Sequence, residues 1–299
     1  MSQSFKTLQE LTITDDFMFG AVMEDPENCR ILLERILRTP IDHVEIVWQK
    51  NLKFRPEFKG VRLDVFAKDD QETRYDVEMQ IKKTPTGKRS RYYHSQMDMD
   101  ALLAGTPYDA LPDSYVIFIC DYDPFGDGKY QYTFMNRCLE NPKLDINDGS
   151  HTIILNNKGY NNDEISPELL SFLQFTGKSL KESEEKSDDS YIQQIQNSIR
   201  SIKNSRDMGE QYMKYQLVLR EQREEGKKEG LKEGRKEGIA GVITVMQESN
   251  KNKEEILNKI MDIFSLTEEQ ASEYYSKYSV NWISLCTYLI NIIITIYHS

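Results

Sequence analysis

Two stretches decide the fold: Arg62-Leu63-Asp64-Val65 and Tyr75-Asp76-Val77-Glu78-Met79-Gln80. In the second, Tyr75, Val77, Met79 and Ile81 alternate with Asp76, Glu78, Gln80 and Lys82, the period of two expected of a strand with two unlike faces. In the first, Val61, Leu63 and Val65 alternate with Arg62, Asp64 and Phe66. The polar run Asp69-Asp70-Gln71-Glu72 between them suits a reversal, and a hairpin centred on Gln71 sets Asp64 opposite Glu78. Directly opposed strand residues have Cβ atoms about 4.5–5.5 Å apart, and like charges there are destabilising. Two carboxylates so placed call for a cation, and a hard divalent ion such as Mg²⁺ is satisfied by one or two carboxylates plus phosphate oxygens. Asp64, Glu78 and Gln80 are therefore expected to converge on one face, with Arg62 and Lys82 beside them.

Outward from the hairpin, the pattern alternates helices and strands. Thr14 is placed to cap a helix whose first turn carries Asp15 and Asp16 and whose apolar side is Phe17, Phe19, Val22 and Met23. A second helix follows Pro26, with Cys29, Leu33, Ile36 and Leu37 at helical spacing, and ends by Pro40. Residues 44–48 read as a strand, 89–103 as a helix ended by Gly105, and 114–120 as a continuous apolar strand buried on both faces. Further strands are expected over 130–135 and 151–155 and a helix over 167–175. The order predicts an α/β fold with a mixed sheet covered by helices.

The composition changes after Gly177. Residues 1–180 read as one globular domain, 181–240 as a charged helical linker, 241–279 as a small helical segment and 280–299 as an atypical apolar tail. Within the linker, 181–189 is charged and 191–219 helical. Glycines at 226, 230, 234 and 238 then recur in a Glu-Gly-Lys pattern. Each costs a helix about 1 kcal/mol relative to Ala, so a flexible or fraying charged helix is expected there. Residues 254–275 read as two short helices, the second with a capping box formed by Thr267 and Gln270. The tail carries no charge from Val280 to Tyr297. It reads as a tail anchor, a buried or oligomer-facing segment, or a read-through terminus, a membrane span being the least favoured because polar residues interrupt it.

The net charge of −11 argues against a chain that coats nucleic acid by bulk electrostatics, without excluding a local basic groove. Four scattered cysteines and no CxxC pair suit a reduced, cytoplasmic protein without a zinc knuckle, and no apolar leader follows Met1. There is no Walker A loop, dinucleotide fingerprint, HExxH or G-x-S-x-G motif. Of four histidines, only His94 falls near the hairpin face, and a lone histidine there reads first as structural. The chemistry left is that of two carboxylates and an amide, which suits metal-assisted phosphodiester hydrolysis. Asp64 and Glu78 would hold the ion, and Gln80 would hydrogen-bond a water or a phosphate oxygen.

Asp64 followed by Glu78-Met79-Gln80 resembles the PD-(D/E)XK nuclease superfamily, with Gln80 where lysine commonly stands. More closely, Thr14-Asp15-Asp16-Phe17-Met18-Phe19, Arg62-Leu63-Asp64-Val65, Val77-Glu78-Met79-Gln80 and Arg91-Tyr92-Tyr93 resemble the Rpn family of recombination-promoting nucleases, also described as transposases. Tyr115-Val116-Ile117-Phe118-Ile119, Asp123-Pro124-Phe125-Gly126 and the Glu-Gly-Lys repeat resemble the same group. The resemblance implies a restriction-endonuclease-like core and Mg²⁺- or Mn²⁺-dependent cleavage of DNA, linked to recombination or transposition. It implies that Asp64 and Glu78 are metal ligands and that Gln80 takes the lysine position. Asp16 is the candidate third acid, with Glu24 the alternative, and Lys82 a candidate for the missing positive charge. Arg91 and Tyr93 are candidates for contacting DNA. The other reading is a catalytically degenerate nuclease fold that binds DNA or protein. A homodimer, if formed, is expected to use the helical region 190–240.

Overall fold

A computed structural model of the chain describes residues 6–52 and 60–279, so the tail 280–299 lies outside the described residues. Two compact units divide the chain, the first running to Tyr215 and the second starting at Gln216.

The first unit opens with two helices, α1 (Asp16–Met23) and α2 (Pro26–Leu37). The strands are β1 (Val44–Leu52), β2 (Val61–Asp69), β3 (Arg74–Gln80), β4 (Ser114–Cys120), β5 (Gln131–Phe134) and β6 (Ser150–Asn156), with α3 (Gly87–Ala101) crossing from β3 to β4. They form one sheet in the order β1-β2-β3-β4-β6-β5. β1, β2 and β3 pair antiparallel, β3, β4 and β6 parallel, and β5 closes antiparallel on β6. The mixed character follows from the connections. A tight turn can only reverse the chain, whereas α3 is long enough to carry it back to a parallel neighbour. β4 sits between two parallel partners, and so its run Val116-Ile117-Phe118-Ile119 is buried on both faces.

Two cores result. α1, α2, α4 (Pro167–Thr176) and α6 (Ser190–Asn204) share a core with Val65, Val77, Ile117 and Ile153. α3 covers the other, with Phe66, Val116, Phe118 and Ile154. All of Phe17–Met23 is buried, and the cap of α1 is Asp15, one residue later than expected. The stretch expected to link domains contributes to the first core. After the short α5 (Leu180–Ser183), Tyr191, Ile192 and Ile195 of α6 are buried, and the Tyr191 hydroxyl donates to the Asn28 carbonyl at 2.7 Å. Asp189 anchors the start of α6 by a two-pronged ion pair with Arg35 at 2.7 Å on each prong. The boundary expected at residue 180 therefore falls inside this unit.

The helix expected over 191–219 is broken at Ser205, whose backbone is extended and whose hydroxyl accepts the Met208 N–H at 3.3 Å. A serine that satisfies a neighbouring backbone group competes with the helical ladder, and so a cap replaces a continuous helix. Beyond it α7 (Arg206–Glu248) is helical through all four repeat glycines. The second unit is a small helical packing in which Ile239 and Ile243 of α7 meet Ile256 and Ile260 of α8 (Lys253–Phe264) and Ala271 of α9 (Glu268–Tyr278). The Thr267–Gln270 capping box at α9 is present. Among the described residues no helix is long and apolar enough to cross a membrane.

Candidate active site

The turn between β2 and β3 sets the geometry. The Asp69 carboxylate accepts the N–H groups of Gln71 and Thr73, both at 2.9 Å, and the Tyr75 hydroxyl at 2.8 Å. This holds the hairpin in the register counted from Gln71, with rungs Lys68–Arg74, Ala67–Tyr75, Phe66–Asp76 and Val65–Val77. The ladder to β3 stops there. β2 continues on β1 alone, through Lys50–Leu63 to Leu52–Val61. Gln49 of β1, between the rungs on either side of Asp64, has a left-handed φ of 53°. Leu63 packs in the α3-side core with Phe66, while Val65 packs in the other. The strict alternation read from the sequence is thus interrupted at Asp64, where β2 parts from β3.

Glu78 turns into that gap. Its Oε1 accepts the Asp64 N–H at 3.1 Å, so the two acids meet through a side chain and a backbone rather than through a ladder pair. Its Oε2 accepts from the Arg89 guanidinium of α3. Arg89 also donates from Nη1 to Gln80 Oε1 at 2.5 Å and from Nε to the Tyr93 hydroxyl at 2.9 Å, and lies 4.9 Å over the Phe118 ring. The Gln80 amide nitrogen in turn donates to the Lys82 carbonyl at 2.9 Å.

The electrostatics are those of a crowded acidic group. Burial, then the charges of Glu78 and Asp16, push the Asp64 carboxyl well above the usual carboxylate range, against Arg62 and Arg89. Burial raises Glu78, which Arg89 and the Asp64 N–H partly offset. Asp76 is fully buried, raised by burial and then by Glu78 and Asp64, and among the described residues neither of its carboxylate oxygens has a hydrogen-bond partner. Asp16, at the start of α1, is raised by burial and then by Asp15, with Arg62 and Lys82 opposing. Asp16, Asp64, Asp76 and Glu78 therefore share one field.

Other candidates fall elsewhere. Glu24 caps the opposite end of α1, about 12 Å of helix from Asp16 at about 1.5 Å per residue. The Lys82 side chain is exposed, and its backbone carbonyl, not its ammonium, holds Gln80. Tyr93 touches the site through Arg89, whereas Arg91 is exposed on another side of α3. His94 is buried, bonded to Ser114 at 2.8 Å and Thr152 at 3.2 Å. Arg89 is the residue the sequence reading missed. Its signal was its place one helical turn before Tyr93, on the same face of α3.

Among the described residues, no group of three or more His, Cys, Asp and Glu side chains is disposed to hold a metal ion. A closed protein cage is therefore absent there. The donor chemistry present is two carboxylates, Asp64 and Glu78, beside the buried acid Asp76, with both Glu78 oxygens engaged by the Asp64 N–H and Arg89. A hard ion held by one or two carboxylates takes its remaining oxygens from outside the protein.

A mixed sheet flanked by helices, with acids gathered where a central hairpin splays, defines a nuclease-like α/β fold of the PD-(D/E)XK type. The chain belongs to the PD-(D/E)XK nuclease family transposases, whose family model matches residues 13–229. No curated protein and no solved structure matches it.

Proposed function

We propose that this nuclease-family domain is a divalent-metal-dependent DNA endonuclease acting in recombination or transposition. The observation that carries the reading is the placement of Glu78 between the Asp64 N–H and Arg89, inside a group of buried acids. Asp64 and Glu78 would hold Mg²⁺ or Mn²⁺. When bound, the ion supplies charge neutralisation at the phosphate and a more acidic water. The remaining roles belong to the chain itself. Arg89 brings positive charge to the place where the superfamily's lysine is replaced by Gln80. Its guanidinium is fixed in plane by Glu78, Gln80 and Tyr93, and fixed donors stabilise developing charge without reorganising. Gln80 positions Arg89 through its Oε1 and keeps one amide N–H for a water or phosphate oxygen. Asp16 strengthens the field that favours a cation at Asp64.

The test is conversion of supercoiled plasmid to nicked or linear DNA with Mg²⁺ or Mn²⁺, in wild type, Asp64→Ala and Glu78→Ala. Cleavage by wild type alone is expected, and equal cleavage by all three overturns the assignment. One observation favours a second reading, a degenerate fold that only binds DNA or protein: Arg89 already neutralises Glu78 without a metal. DNA binding that survives EDTA, with no cleavage under any divalent ion, selects it.

A further inference from the structure

Beside the acidic group lies a cavity of ≈ 530 Å³ that the proposed chemistry does not use. Its volume falls in the range of about 300–1,000 Å³ typical of small-ligand sites. Its floor includes Thr152 and Ile154 of β6, which pair with Val116 and Phe118 of β4, which pair with Asp76 and Glu78 of β3. Laterally paired residues share a face of the sheet. The cavity therefore opens on the face that carries Glu78, two strands away, or about 10 Å at about 4.8 Å per strand. One wall is α3, through Ser90, Arg91 and His94, immediately after Arg89.

The lining has a definite chemistry. Phe125 and Phe134 are 47% and 45% exposed, so two aromatic rings 5.3 Å apart stand open at the cavity. Hydrogen-bonding side chains lie around them: Ser90, Asn136, Ser150 and Thr152. Among the described lining residues the one arginine or lysine is Arg91. In a chain of net charge −11 no carboxylate stands among the described lining residues, although Asp148 accepts from the lining Asn136 at 2.5 Å. His94, buried between two hydroxyls and pushed down to about 4 by burial, is neutral there. A flat, uncharged, heteroaromatic group bearing an adjacent phosphate matches this set. The rings stack on its face, the hydroxyls and amide meet its polar edge, and Arg91 meets the phosphate.

We infer that this cavity receives a nucleobase turned out of the helical stack of the DNA whose backbone lies at the acidic group, an inference that rests on the nuclease reading above. Turning a base out costs least where it is already mismatched, so mismatched DNA is preferred by such a pocket. Base stacking on an aromatic side chain is typically worth about 1–3 kcal/mol by alanine substitution, or roughly 5- to 150-fold in affinity.

The experiment is fluorescence anisotropy of the full chain with two duplexes of equal length, one fully paired and one with a central mismatch, in EDTA and in Mg²⁺. Wild type is expected to bind the mismatched duplex at least about tenfold more tightly. Phe125→Ala and Phe134→Ala are expected to lose that advantage while keeping their affinity for the paired duplex. Retained thermal unfolding of both variants, whose rings are exposed, shows that they fold. Equal binding of the two duplexes by wild type, or an unchanged preference in both variants, overturns the inference even if plasmid is still cleaved. A preference that needs the two phenylalanines, in a protein that never cleaves, upholds it and removes the nuclease reading instead. Free deoxynucleoside monophosphate bound through the same rings, with no preference for the mismatch, also overturns it and assigns the cavity to a soluble nucleotide.

Discussion

Replacing Arg89 by methionine keeps an unbranched side chain as far as the position of the arginine Nε and removes the guanidinium that lies over Phe118. The guanidinium donates to Glu78, Gln80 and Tyr93 at once. The Glu78 side chain is 4% exposed and that of Arg89 28%. A pair of unit charges at about 3 Å interacts by about 5.5 kcal/mol at an effective dielectric of about 20. The desolvation of both groups offsets a part of this. Breaking a buried pair from one side typically costs about 3–5 kcal/mol, and the partial exposure of Arg89 lowers the expectation to about 2–4 kcal/mol. Urea unfolding at pH 7.5 in EDTA measures it. The loss should have a pH signature. Without Arg89, the Glu78 pKa, already raised by burial, rises further. Acidification then protonates Glu78 in the variant, relieves the unpaired charge and shrinks the difference from wild type. Glu78→Gln in the same background should recover a part of the loss, the coupling being read from the double-mutant cycle. A variant as stable as wild type, or a deficit that does not change between pH 7.5 and pH 5, refutes the view that Arg89 holds the acidic group together.

Asp76→Asn should raise the unfolding midpoint in EDTA at pH 7–8 by the equivalent of at least about 1 kcal/mol, because a buried carboxyl whose pKa lies above its unfolded value destabilises the fold as pH rises. The gain should vanish near pH 4, and a loss of stability at pH 8 would argue against it. His94 has its folded pKa lowered to about 4 from 6.5, by burial and then by His151, so the unfolded chain binds a proton first. Wild type should lose up to about 3 kcal/mol relative to His94→Gln as pH falls from about 6.5 to about 4, at about 1.36 kcal/mol per unit, and parallel pH profiles of the two would contradict this. Gly20→Ala should cost about 1–3 kcal/mol by thermal denaturation, because the added methyl collides with the Trp48 indole; an unchanged midpoint would show that Trp48 can move aside.

The hairpin was legible because its signals are local. Turn chemistry at Asp69 and alternation in β3 fix the register without reference to the rest of the chain. The continuous apolar run of β4 likewise announces a strand between two layers of helix. What the sequence hid is tertiary. β2 parts from β3 at Asp64, level with a left-handed backbone at Gln49 on the neighbouring strand, and a non-glycine residue carries no signal for such a backbone. Arg89 looks like any basic helix residue until α3 crosses the sheet and brings it over Phe118. The packing of α6 into the first core was masked by the charged residues before it, although its buried face of Tyr191, Ile192 and Ile195 follows helical spacing. The Ser205 break was a matter of one hydroxyl competing for one N–H.

Asp64 and Glu78 are expected to bind a divalent ion together where the hairpin splays. Crystals of the full chain soaked in Mn²⁺ and measured with anomalous scattering at the manganese edge test it most directly. A peak is expected within ligand distance of carboxylate oxygens of both residues, about 2.1 Å for a small hard divalent ion, and none in Asp64→Ala crystals treated alike. Density without a peak there, while Mn²⁺ binds elsewhere in the same crystal, would contradict it.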